Sequence, residues 1–145
     1  MKFLNFVLGE TAFLSRRIGF YATLSSRNNY GKKQTVIFDN VLTNDGNGYD
    51  DRTGVFTCPV TGTYMFVFDA LVSHLAKLLL KLNKKTVVVL YKDHPLFNFD
   101  KIHTYHISRT VLLKLKRGDH VKVVSEGYRT SLSSDYSGFA GTFLY

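Results

Sequence analysis

Apolar and polar side chains exchange at short intervals along the chain, and no stretch of ten or more residues holds the period of a helix. The pattern predicts an all-β sandwich or barrel, with strands near 18–25, 34–39, 54–58, 62–71, 76–82, 86–92, 104–115, 120–125 and 136–145. Leucines and lysines over 75–82 suit a helix as well as a strand, and the surrounding strands decide for a strand. In the last segment Phe139, Gly141, Phe143 and Tyr145 share one face, and Gly138, Ala140, Thr142 and Leu144 share the other. Both faces are apolar or small, which predicts a central strand covered on both sides.

Between these strands the turn chemistry is local. Asn44, Asp45, Gly46, Asn47 and Gly48, and later Lys116, Arg117, Gly118 and Asp119, tolerate positive φ or bond their own backbone. The Ser- and Gly-rich stretch 126–135 is expected to be an exposed loop, the kind of segment where binding residues collect. No internal repeat or low-complexity tract interrupts the series.

A length of 145 residues fits one core. Hydrophobic content of 45% and aromatic content of 14% exclude a disordered or fibrous chain. The formal charge of +8 favours anionic partners such as acidic glycans, lipopolysaccharide or phosphate-bearing surfaces. Lysines between Lys77 and Lys85 alternate with leucines, the pattern of a strand with one wet face, and no nucleic-acid-binding motif accompanies them. Cys58, the sole cysteine, rules out an intrachain disulfide and sits among apolar neighbours as a small buried hydrophobe. Residues 1–10 make a poor signal peptide, because Asn5 interrupts a short apolar run that Glu10 closes. Nothing approaches the roughly 20 apolar residues that a membrane-spanning helix needs.

Phe38, Asn44, Tyr49, Phe56, Gly62, Tyr64, Phe66 and Phe68 form an aromatic spacing that resembles the globular-head family of complement component 1q. Similar, too, are the first strand around Ile18-Gly19-Phe20-Tyr21-Ala22 and the closing strand around Gly138 and Phe139. The likeness runs from residue 18 to 145 and leaves 1–17 as an extension. Its physical basis is also legible: Tyr64, Phe66 and Phe68 lie two apart on one strand face, Phe56 can pack against them, Gly62 would permit a turn, and Tyr49 would pin a long loop. The resemblance implies a ten-stranded jelly roll shared with tumour necrosis factor ligands, three copies around an axis, and a secreted recognition module of innate immunity without a collagen-like stalk in this chain.

Catalytic chemistry is not indicated. His103 and His106, three apart on a strand, would point to opposite faces, and no hydrolase elbow, zinc-protease helix or phosphate-cradling loop occurs. Calcium is the one cofactor the resemblance suggests, with Asp93 and Asp100 as carboxylate ligands, although His94 stands where family sites often carry a second acid. Ligand contacts are expected from Tyr128, Arg129 and Asp135 in the Ser-rich loop and from Lys92 and His94 in the loop after the sixth predicted strand. The leading function is lectin-like recognition of glycans or anionic microbial groups by a homotrimer. A cytokine-like receptor ligand and a matrix or biomineral component are the alternatives.

Overall fold

A computed structural model describes residues 17–72, 75–93, 104–127 and 130–145. They form thirteen strands: β1 (Gly19–Thr23), β2 (Asn28–Tyr30), β3 (Gln34–Thr35), β4 (Asn40–Asp45), β5 (Tyr49–Asp50), β6 (Val55–Thr57), β7 (Gly62–Val72), β8 (Ala76–Leu82), β9 (Lys85–Lys92), β10 (Tyr105–Leu115), β11 (His120–Ser125), β12 (Thr130–Leu132) and β13 (Gly138–Phe143). All pairings are antiparallel. One sheet runs β4-β1-β13-β7-β10 and the other β5-β6-β11-β8-β9, with the short strands β2, β12 and β3 added at their margins. Five strands face five, which is the ten-stranded jelly roll that the resemblance implied.

The aromatic spacing makes the core. Alternation along β7 turns Tyr64, Phe66 and Phe68 inward, each at most 1% exposed. Phe56 approaches Tyr64 and Phe66 with ring centroids at 5.7 and 5.5 Å, and Phe139 stacks on Phe66 at 6.0 Å. Phe20 lies flat on Tyr49 at 4.6 Å, and Phe38 closes the cluster against Phe139. Cys58 is buried and its thiol donates to the Val60 carbonyl at 3.1 Å. The leucine-lysine segment is strand β8, because Ala76, Leu78 and Leu80 fill the inner face and an alternation of two can do this where a helix could not.

Tyr49 pins the loop before β5 by donating its hydroxyl to the Phe38 carbonyl at 2.8 Å. Asn44 staples the same loop: its amide donates to the Tyr49 carbonyl at 2.8 Å, and its oxygen accepts the Tyr49 N–H at 3.1 Å. Gly46 and Asn47 supply the positive φ that this tight return needs.

Four expectations need correction. Gly62 is not a turn residue: it opens β7, and a Cβ there would collide with the Phe143 ring and stand 2.8 Å from the Tyr145 carbonyl. Close approach of the C-terminal strand, not backbone freedom, selects glycine. Gly62→Ala should therefore lower stability by about 1–3 kcal/mol through overpacking, and an unchanged denaturation midpoint would contradict this. The stretch 126–135 is not a plain exposed loop, because it contains β12, where Thr130 and Leu132 are fully buried and pair with Tyr30, Asn28 and Val72. β4 and β5 fall within or beside segments read as turn or unassigned, since each is an edge strand held by backbone pairing, β4 to β1 and β5 to β6, and needs little apolar alternation. Lastly, β13 is central, but the described residues cover it on the inner face only; Ala140 and Thr142 line an open depression of about 270 Å³ on the other.

Candidate functional site: a lysine-rimmed groove

Each sheet turns one face to the core and one outward, and the two outward faces differ in chemistry. On the sheet β5-β6-β11-β8-β9, alternation turns Lys77, Leu79 and Lys81 of β8 outward, because Ala76, Leu78 and Leu80 point in. Pairing with β11 sets Leu79 opposite Val124 and Lys81 opposite Lys122. On the other side, pairing with β9 sets Leu79 opposite Val89 and Lys77 opposite Tyr91. A bulge at Leu80–Lys81 then brings Lys81 opposite Thr86.

Three rows result: Tyr91 and Lys77 beside Glu126, an apolar row Val89–Leu79–Val124, and a row of Thr86, Lys81 and Lys122. Lys33, held at φ 62 in the turn before β3, completes a groove of about 440 Å³. Four lysines thus surround an apolar floor with a single carboxylate, Glu126, among them. No ion pair joins any of these five to another described residue. With neither arginine, histidine nor cysteine in its lining, the groove offers attraction for anions and a small apolar contact at the exposed Val89.

The outward face of the sheet β4-β1-β13-β7-β10 is apolar and small at its centre, with Asp45 at the rim of its depression and Lys114 on the outer strand β10. Met65 and Val67 of β7 lie between Thr142 and Ala140 of β13 and Leu112 and Thr110 of β10. Tyr21 and Leu112 are 44% and 60% exposed there. Asp69 and His106 stand toward one end of this face, 3.3 Å apart. Burial pushes the Asp69 carboxyl above its ordinary value, against the opposing pull of the Gly138 N–H at 2.7 Å and of His106.

Of the residues expected to bind ligand, Lys92 and Asp135 are described, and neither lines the groove. Lys92 ends β9, with its ammonium 4.3 Å over the Tyr105 ring and bonded to the Asp93 carbonyl. Asp135, at φ 65, lies exposed in the turn between β12 and β13, at the end of the sandwich where β7 and β9 finish. Tyr128, Arg129, His94 and Asp100 lie outside the described residues. Of the two expected calcium ligands only Asp93 is therefore described, and among the described residues no three His, Cys, Asp or Glu side chains converge. Sequence reasoning did not single out Lys33 and Lys122, which line this groove, and took Lys77 and Lys81 for a wet strand face. The alternation in 77–81 and 120–126 was readable, but the register that sets Lys81 against Lys122 was not.

Among the described residues no helix is long and apolar enough to cross a membrane. The globular domain of zebrafish complement 1qA superposes with a TM-score of 0.74 and 25% identity, covering 88% of this chain and 98% of that one. Eiger TNF from S. frugiperda reaches the same TM-score at 15% identity, covering 90% and 94%, which reflects the shared fold. In sequence the chain is 36% identical to a complement C1q subcomponent of Mus musculus over 113 residues, 76% of this chain and 43% of that protein. It is 35% identical to protein HP-25 homolog 2 of Bos taurus over 115 residues, 77% of this chain and 51% of that protein. The chain thus spans about half or less of the length of these relatives. The family model of the C1q domain matches residues 19–144, and with the two packed antiparallel sheets and their aromatic core this establishes that the chain belongs to the C1q domain family.

Proposed function

We propose that this C1q domain acts as a secreted homotrimer that recognises anionic groups repeated on microbial surfaces, acidic glycans and lipopolysaccharide among them. The carrying observation is the contrast between the two outward faces. Apolar and small side chains around Ala140 suit packing against other copies of the chain. The lysine groove on the opposite sheet then points away from the axis, presented three times. Each groove is shallow, so a single site binds weakly, and three sites on one repetitive surface gain affinity by avidity.

A glycan and lipopolysaccharide array, read at two salt concentrations, tests this reading. Acidic ligands should be retained over neutral ones, with binding falling steeply as ionic strength rises. Retention of neutral glycans alone, or of nothing, would sink it. Running the array with calcium and again with chelator also tests calcium at Asp93 and Asp100. The described residues supply only one of those two carboxylates, so they define no calcium geometry.

A further inference from the structure

We infer that the Lys81–Lys122 pair is a clasp for a sulfate or phosphate ester carried on a sugar, so that the groove prefers ester-bearing glycans to glycans charged only by carboxylates. This rests on the groove being the recognition surface. The two lysines are direct cross-strand partners on adjacent strands, β8 and β11, and emerge on the same outward face. Opposite residues of an antiparallel pair hold their Cβ atoms about 5 Å apart, and like charges placed so repel. No described carboxylate forms an ion pair with either lysine. The lone acid of the groove, Glu126, belongs to the other charged row, where its N–H bonds the Lys77 carbonyl at 2.9 Å. The groove's one acid therefore stands beside Lys77, and the Lys81–Lys122 row holds none.

Chemistry selects the ligand. Lysine is a point charge whose three donors rotate freely, whereas the planar fork that matches a carboxylate is arginine's, and the groove lining has no arginine. A tetrahedral ester offers oxygens in several directions, so two ammonium groups on neighbouring strands can share it. A phosphate monoester, near two negative charges at neutral pH, can balance both lysines at once. Beside the pair runs the apolar row Leu79, Val89 and Val124; Leu79 and Val124 are buried, and Val89, 46% exposed, is the side chain against which the C–H face of a sugar ring can lie. Ligand charge thus relieves a repulsion that the free protein carries.

Heparin for sulfate esters, phosphomannan for phosphate esters and polygalacturonate for carboxylates, compared at equal anionic charge, form the test. At least one ester-bearing polymer should bind about tenfold or more tightly than polygalacturonate. Competition by free sulfate or phosphate then identifies which ester is held. The double variant Lys81→Gln, Lys122→Gln should lose this preference while melting no lower than the parent, since a repulsion has been removed. Lys84→Gln, on the exposed turn between β8 and β9, should keep it. Should the double variant fold poorly, Lys122→Gln alone must still narrow the preference. Equal binding of polygalacturonate by the parent, or a preference that survives loss of both lysines, overturns the clasp and leaves the recognition role standing. Failure of the parent to bind any of the three polymers overturns both.

Discussion

Phe66→Ala should lower the stability of the fold by about 3–5 kcal/mol, a large part of the roughly 5–15 kcal/mol that holds a domain together. The ring is fully buried at the centre of β7 and touches Phe20, Phe56, Tyr64 and Phe139 across both sheets. Gly141 deepens the effect: a Cβ there would stand 2.6 Å from both the Phe20 and Phe66 rings, so the backbone of β13 is already drawn in against them. Truncating Phe66 leaves a void that this backbone cannot fill, because β13 is fixed by pairing on both of its edges. Tyr64→Ala should act similarly, also losing the hydroxyl bond to the Val60 carbonyl at 2.6 Å. Urea titration of purified variants gives the number directly, and a loss below about 1 kcal/mol for Phe66→Ala would contradict the central position assigned to it.

The second large effect concerns assembly. In the proposed trimer Ala140→Arg should yield a folded monomer, read as a threefold drop in mass by light scattering. Ala140 lies on the outward face of β13 between Val67 of β7 and Tyr21 of β1, with small Thr142 beside it on the same strand. In one chain by itself that position opens on a depression, so an arginine there can reach water without disturbing the core. Between copies it would force a bulky cation out of water among apolar and small side chains, at a cost of several kcal/mol for each interface even with Asp45 at the rim of the depression. Fold retention is checked by the far-ultraviolet spectrum, and a lower melting point is expected, because assembly stabilises by mass action. A parent that runs as a monomer removes the trimer and with it the avidity. A trimeric Ala140→Arg protein would instead place the contact on another face.

These two predictions differ in how much of them the sequence already carried. Tyr64, Phe66 and Phe68 alternate at the strand period, so their common face followed from spacing alone, and the strand boundaries of β7, β8 and β11 were read within a residue. Alternation also separated Ala140 and Thr142 from Phe139 and Phe143. It did not say what lies over the smaller face. Small side chains on a central strand fit burial under a second layer of the same chain as well as an open face, and only the placement of the two sheets decides between them.

Local chemistry was legible wherever neighbours in sequence make the contact. The tight return at 46–48 was readable because Asn44, near the end of β4, bonds Tyr49 only five residues away. Where partners are distant the signal vanished: Gly62 is required by Phe143 and Tyr145, about eighty residues on, and three-residue β12 exists because β2, a hundred residues earlier, pairs with it. The periodicity of side chains thus determined an all-β fold, its main strands and its aromatic core, since each strand's inner and outer faces are set by the backbone's period of two. The lysine groove was decided by tertiary structure alone. Lys33, Lys77, Lys81 and Lys122 come from three separate segments, and their convergence depends on strand register and on a bulge, neither of which residue order encodes.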